Sequence, residues 1–132
     1  MSQENVEIVR RAIAAFNRGS LDAALQDFAP DATLDWSHSR GPNAGVYVGH
    51  DAIRRFCTDM TDPFERHAFV AGEFIPHGDH VVVPVVGRMT GRGGIEVEVK
   101  TAVVATLRGG RLVRWTMYQD KLEALKAVGL EA

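Results

Sequence analysis

The sequence predicts an α+β fold in which N-terminal helices pack against a curved antiparallel β-sheet and a short helix follows at the C-terminus. Apolar residues first recur at helical spacing, and after Pro63 they alternate with a period of two. Glycine-containing turns separate the alternating runs, which is typical of strands joined by hairpins. Because the helices precede the strands instead of alternating with them, the order favours α+β over a parallel α/β sheet.

Three helices and one short strand are predicted before Pro63. The first helix ends at Gly19, and the second follows Ser20 and ends before Pro30. Residues 32–36 alternate as a strand, and residues 37–45 are rich in turn-forming types. A third helix is predicted from Asp51, which is its expected N-cap, with an apolar face formed by Ile53, Phe56, Cys57 and Met60.

The second half of the chain predicts four long strands and one helix. The strands are expected at 67–75, 81–90, 95–107 and 112–119. Pro84 lies inside the second of them, which predicts a bulge or an edge position there. Asp120 and Glu123 have the spacing of a capping box and predict the start of the final helix.

Composition limits the classes of function. A chain of 132 residues with 45% hydrophobic and 24% charged residues predicts one globular domain over 1–132. A net charge of −2 gives no attraction to nucleic acid or to anionic lipid, so neither partner is expected. The single cysteine excludes an internal disulfide. The sequence contains no apolar run long enough to predict a signal peptide or a membrane span. We therefore expect a cytoplasmic protein without a metal or cofactor.

Four stretches resemble the SnoaL-like, polyketide cyclase-like branch of the nuclear-transport-factor-two-like superfamily. They are residues 5–36, 48–56, 72–83 and 106–130, which together span most of the chain. The resemblance implies a cone-shaped fold whose pocket opens at one end between helices and sheet. It also implies a homodimer through the outer sheet face, where Val82, Pro84, Val86, Ala102 and Val104 are expected. The fold hosts many activities, so the resemblance does not define one.

The catalytic sets of two activities found on this fold are not present. Steroid isomerases of the fold use a carboxylate base and two acidic donors, and alignment puts Trp36 at the base position and Ala12 at one donor position. Asp35 is adjacent to the base position, but in a regular strand it points to the other face. Epoxide hydrolases of the fold need an Asp–Arg–Asp set on adjacent strands, and residues 95–107 contain neither type.

Three residues remain as candidate proton carriers. The resemblance implies that cyclases use an acid near the last strand, which is Asp120 here, and that dehydratases use pocket histidines, for which His38 and His67 are available. Histidine titrates near neutral pH and can move protons without a large pKa shift. A helix cap for Asp120, a surface loop for His38 and a strand end for His67 are the alternative interpretations.

Alternation predicts the pocket wall, because residues two apart share one face of a strand. With the first strand and the third helix included, the predicted ligand-binding residues are Trp36, Phe56, Met60, Val83, Val85, Thr101, Val103, Trp115 and Met117. Ordinary core packing is the alternative for many of them. The sequence thus predicts a protein that binds a small apolar, aromatic or polycyclic molecule. Acid–base catalysis of cyclase, isomerase or dehydratase type is one option, and a non-catalytic ligand-binding or dimerisation module is the other.

Overall fold

The computed structural model describes residues 2–41 and 43–130, which contain four helices and seven strands. The helices are α1 (Ser2–Asn17), α2 (Leu21–Leu25), α3 (His50–Thr61) and α4 (Lys121–Ala127). The strands are β1 (Phe28–Asp35), β2 (Val46–Val48), β3 (Phe64–Ala71), β4 (Ile75–His77), β5 (His80–Gly91), β6 (Glu96–Arg108) and β7 (Arg111–Tyr118). The predicted α+β fold class is confirmed.

The seven strands belong to one curved, open sheet in the order β2-β1-β7-β6-β5-β3, with β4 beside β5. Every pairing is antiparallel except that of β1 with β7, which is parallel. The expectation of a purely antiparallel sheet is wrong at this one pair. β1 and β7 are far apart in the sequence and are not joined by a hairpin. Their connection therefore does not require them to be antiparallel.

The predicted second helix is too long. α2 ends at Leu25, and Phe28 begins β1 instead of extending the apolar face of the helix. In that place the Phe28 ring lies 5.8 Å from the ring of Trp115, so tertiary packing overrides the local helical spacing. Pro30 lies inside β1, where the register against β7 is irregular between Phe28 and Thr33. A proline donates no ladder hydrogen bond, which fits this irregular position.

The start of α3 also differs from the expected start. Gly49, with φ of 89°, is the N-cap residue, its carbonyl accepts from the Ile53 N–H, and no side chain caps the helix. Glycine adopts this positive φ without steric cost. Asp51 therefore lies in the first helical turn and is not the cap.

Pro84 explains why the predicted strand 67–75 is two strands. β3 pairs with β5 up to Val85, β4 pairs with it only from Val82 onward, and Pro84 lies between the two pairings. Its carbonyl accepts from the Gly72 N–H, which lies between β3 and β4. The N–H that proline lacks would point to the same side, toward this gap, where no strand needs it as a donor. A Cβ at Gly72 would lie 2.9 Å from Pro84 Cγ, so glycine permits this close approach. Pro84 is thus at a local edge in the middle of β5.

Apolar residues are buried on both faces of the sheet. Helices α1 to α3 cover the concave face, and α4 packs on the outer face. Val82, Ala102 and Val104, three of the five residues expected at a dimer interface, are buried there beneath α4 within one chain. The apolar surface left for a partner on the outer face is therefore smaller than the sequence predicts.

The exposed edge of β3 is partly covered by a side chain. The Asn17 amide donates to the Phe69 carbonyl and accepts from the Phe69 N–H, both at 2.8 Å. A neighbouring strand would make the same two hydrogen bonds, so Asn17 satisfies the Phe69 backbone groups at this exposed edge. They also fix the C-terminal end of α1 against β3.

Asp120 is the N-cap of α4, and its carboxylate accepts from the Glu123 N–H at 2.9 Å. We expect Asp120→Ala to lower the free energy of unfolding by about 1 kcal/mol, because the cap hydrogen bond is lost. Asp120→Asn keeps an accepting oxygen and serves as the control. Urea denaturation followed by circular dichroism measures both, and equal stability of Asp120→Ala and wild type would contradict the cap role.

Candidate functional site

A cavity of about 130 Å³ lies between the first three helices and the concave face of the sheet. Eight of the nine predicted ligand-binding residues line it, namely Trp36, Phe56, Met60, Val85, Thr101, Val103, Trp115 and Met117. Val83 is fully buried in the core behind them and does not line the cavity. Whether these residues bind a ligand stays a prediction, although their arrangement around one cavity is observed.

The sequence did not identify several other wall residues. Ala12, Phe16 and Phe69 also line the cavity. Helical spacing assigns Phe16 to the apolar face of α1, but it does not indicate which strands that face covers. Phe69 shares a strand face with His67, and the missing information was which face is concave.

The cavity is closed at one end of the sheet and open at the other. Along β6 the side chains are exposed at residues 96–98, half-buried at Val99 and Thr101, and buried from Ala102 to Ala105. Wall residues Gly87, Met89 and Val99 lie toward the exposed end. From this gradient of burial we infer that the mouth is on the side of the turn that joins β5 to β6.

Polar groups in the wall are few, and both threonine hydroxyls form hydrogen bonds within the protein. The Thr61 hydroxyl donates to the Cys57 carbonyl at 2.9 Å, and the Thr101 hydroxyl donates to the Val85 carbonyl at 3.4 Å. Burial raises the pKa of the Cys57 thiol to about 12, and the nearby Arg54 offsets this only in part. At neutral pH the thiol is uncharged, so the wall carries no ionised group.

His67 lies on the concave face of the sheet, at the mouth. His67 pairs with Met89, whereas Phe69 pairs with Gly87, so His67 is two residues closer to the turn between β5 and β6. The imidazole ring is 5.5 Å from the Phe16 ring and 5.7 Å from the Phe69 ring, measured between centroids, and His67 is half-buried. Of the three predicted proton carriers it is the one beside the cavity.

His38 and Asp120 lie elsewhere. The exposed His38 ring stacks on Tyr118 at 4.4 Å, and Tyr118 belongs to the face of β7 opposite to Trp115 and Met117. Asp120 is exposed and caps α4. His38 is therefore not a pocket histidine, because the loop after β1 turns toward the outer face of the sheet.

A polar cluster lies on the outer face directly behind Trp36. Asp35 is buried, and one carboxylate oxygen accepts from Arg114 Nη2 at 2.7 Å. The other oxygen accepts from the Ser37 N–H at 2.9 Å and the Ser37 hydroxyl at 2.6 Å. Burial alone would raise the pKa of Asp35, but the hydrogen bonds from Ser37 and Arg114 outweigh it and hold the pKa below its ordinary value. Asp35 therefore remains ionised at neutral pH.

Among residues 2–41 and 43–130, no group of three or more His, Cys, Asp or Glu side chains is arranged to hold a metal ion. In the same part of the chain, no helix combines the length and apolar character needed to cross a membrane.

Comparison with known proteins agrees with this architecture. The model of the SnoaL-like domain family matches residues 9–115. An uncharacterised protein of Mycobacterium tuberculosis strain H37Rv is 30% identical over 111 residues, which are 83% of this chain and 84% of that protein.

Solved structures match over almost the whole chain. A protein of unknown function from Burkholderia pseudomallei K96243, described as NTF2-like, aligns with a TM-score of 0.78 and 26% identity over 96% of this chain and 98% of its own. A proposed SnoaL-like polyketide cyclase from Jannaschia sp. CCS1 aligns with a TM-score of 0.76 and 21% identity over 99% of this chain and 95% of its own. At that identity the second match shows the fold alone.

These findings define the class of protein: it has the nuclear-transport-factor-two-like, cone-shaped fold with an internal cavity. Within that class, the chain belongs to the SnoaL-like family. Membership suggests a ligand-binding or polyketide cyclase-like protein.

We expect Asp35→Asn to lower the free energy of unfolding at pH 7 by about 2 kcal/mol, because hydrogen bonds to a buried charge are weakened. Since the folded-state pKa is depressed, the stability that Asp35 contributes is complete above its unfolded pKa of about 4 and is lost as the pH falls through the folded pKa. The difference between wild type and variant should therefore be constant from pH 8 to pH 5 and shrink below pH 4. Urea denaturation at each pH measures it.

The control is Asp31→Asn, at an exposed position of the same strand. We expect that variant to differ little from wild type. An Asp35→Asn difference that grows on acidification would contradict the assignment.

Proposed function

We propose that the protein binds a small apolar molecule in the cavity between helices and sheet. The observation that carries the proposal is the combination of an internal cavity with a wall that lacks ionised groups and whose threonine hydroxyls are already hydrogen-bonded. Such a cavity gains free energy from apolar contact and offers nothing to a charged ligand. Trp36, Phe56 and Trp115 provide flat surfaces for an aromatic ligand.

The size of the cavity supports a ligand of about one six-membered ring. Its volume of about 130 Å³ is close to the roughly 150 Å³ of an engineered apolar cavity that binds benzene. A polycyclic molecule, which the sequence left open, would require several wall side chains to move. We therefore favour a monocyclic or similarly compact ligand.

Acid–base catalysis has weaker support than binding. General acid–base chemistry needs a titratable group within hydrogen-bond reach of the ligand. His67 is beside the mouth, whereas His38 stacks on Tyr118 at the outer face and Asp120 caps α4. His67 alone could exchange a proton with a bound ligand, but the chain offers it no partner from the predicted set. Binding without turnover is thus the simpler function.

To test ligand binding, we would titrate toluene into the protein and into Ala12→Leu. Ala12 is buried and lines the cavity, so the larger side chain would occupy ligand volume. We expect wild type to bind toluene and Ala12→Leu to bind it at least tenfold more weakly. Ala14→Leu, at an exposed position on the same helix, is the matched control and should bind as wild type does.

Calorimetry or chemical-shift changes of the wall residues would measure binding, and thermal unfolding would verify that each variant is folded. Equal toluene affinity of wild type and Ala12→Leu, or no binding to either, would overturn the proposal.

We also propose that two copies of the chain associate through the outer sheet face, as expected from the sequence. Val70, Pro84 and Val86 remain there outside the cover of α4, and Val70 is 52% exposed. Arg88 and Glu98 flank them, so charges of both signs are available for pairing across a twofold axis. The cytoplasmic location expected from the sequence stays a prediction.

Sedimentation at micromolar concentration tests the dimer. We expect wild type to sediment with twice the mass of the chain and Val70→Glu as a monomer, because a charge in the interface would lose solvation. Val48→Glu alters an exposed valine at the opposite edge of the sheet and should remain dimeric. A monomeric wild type would remove this proposal.

A further inference from the structure

An aromatic cluster borders the open end of the cavity. It consists of Phe16, His67 and Phe69, whose ring centroids lie 5.1 to 5.7 Å from one another. Phe16 and Phe69 line the cavity, whereas His67 lies one row further toward the solvent. The imidazole is thus the polar member of this aromatic cluster.

The position of the cluster is fixed by its neighbours. A Cβ at Gly87 would lie 3.0 Å from Phe69 Cε1, so the glycine lets the Phe69 ring approach the neighbouring strand closely. The Asn17 amide holds the backbone of Phe69 from the other side. Phe69 in turn supports one side of the imidazole, and Phe16 contacts it from α1. His67 is therefore held at the rim by packing.

The nitrogens of His67 are not engaged by the rest of the described chain. No side-chain hydrogen bond joins His67 to another residue within 2–41 and 43–130, whereas His50 and His80 each have a hydrogen-bonding partner there. The polar wall residues Thr61 and Thr101 already donate to backbone carbonyls. The ring nitrogens of His67 are therefore free to hydrogen-bond with a ligand at the mouth of the cavity.

We propose that the ligand is amphipathic: a compact apolar body fills the cavity, and an oxygen-bearing group, such as a phenolic hydroxyl, stays at the mouth and hydrogen-bonds to His67. This inference rests on the proposed binding function. A neutral imidazole presents one donor and one acceptor, so it can pair with a hydroxyl in either direction. A ligand without such a group would cover the half-buried imidazole without replacing its water, which costs free energy.

The test compares toluene with 4-methylphenol, which differ by one hydroxyl group. The measured quantity is the ratio of the toluene Kd to the 4-methylphenol Kd, because this ratio cancels the contribution of the shared ring. We expect the ratio to fall about fivefold in His67→Phe, the effect of one net hydrogen bond. The phenyl ring keeps the packing against Phe16 and Phe69 and has no polar atom to cover, so toluene should bind at least as tightly as it binds wild type.

Two further variants make the result interpretable. His67→Gln keeps hydrogen-bonding groups and should retain more of the wild-type ratio than His67→Phe. His38→Phe replaces the exposed histidine that stacks on Tyr118 at the opposite face, and we expect the wild-type ratio there. Thermal unfolding confirms that each variant is folded.

The outcomes separate this inference from the function on which it rests. A ratio in His67→Phe equal to that of wild type overturns the amphipathic ligand but leaves apolar binding in place. Failure of wild type to bind toluene overturns the proposed function, and this inference with it. A fall in the ratio confined to the His67 variants supports both.

Discussion

The pairing of β5 with β6 is the interaction on which the rest of the structure depends. The two strands stay in register from His80 opposite Thr106 to Thr90 opposite Glu96. At one end, consecutive residues are buried, 81–83 on β5 and 102–105 on β6, which requires cover on both faces. Helices α1 to α3 supply it on the concave face and α4 on the outer face. At the other end Arg88, Glu98 and Lys100 make the outer face charged and solvent-exposed. This change along one hairpin gives the cone a closed end and an open end.

The cavity represents a cost to folding stability. At about 24 cal/mol per Å³ of unfilled core volume, a cavity of about 130 Å³ corresponds to at most about 3 kcal/mol, because this cavity is open at one end. That is a large share of the roughly 5–15 kcal/mol by which domains are stable. Small residues maintain the space: Ala12 and Ala24 on the helices and Gly87 on the sheet all face it. Larger apolar side chains at these positions would be expected in a core selected for stability alone, so the space itself is consistent with a binding function.

The sequence predicted the long strands and most of the wall because both depend on alternation, a local property. β5, β6 and β7 differ from their predicted bounds by one residue at each end. The errors arise where distant residues decide the outcome. Phe28 leaves the helical pattern because its ring packs near Trp115, and strand 67–75 divides because Pro84 of the neighbouring strand cannot donate. Val83 has the right strand face and lies opposite Val103, which lines the cavity, but Val83 itself is fully buried in the core and does not line it. His38 was a candidate pocket histidine because the composition of a loop does not indicate the direction in which it turns.

Strand register also determines the chemistry available to a ligand. Leu34 and Trp36 face the cavity, so Asp35 between them faces outward, and a shift of one residue would exchange the carboxylate with the indole. The parallel pairing places Asp35 opposite Thr116 and within reach of Arg114, which donates to it at 2.7 Å. A carboxylate in the cavity would lose both this partner and the two bonds from Ser37, so the ion pair favours the observed register. Alignment with the steroid isomerases of this fold puts their carboxylate base at the position of Trp36. The hydrogen bonds of Asp35 to Arg114 and Ser37 fix the register of β1 against β7, and this register places Trp36 in the cavity. Because Trp36 makes none of these hydrogen bonds, a polar residue could replace it without removing them.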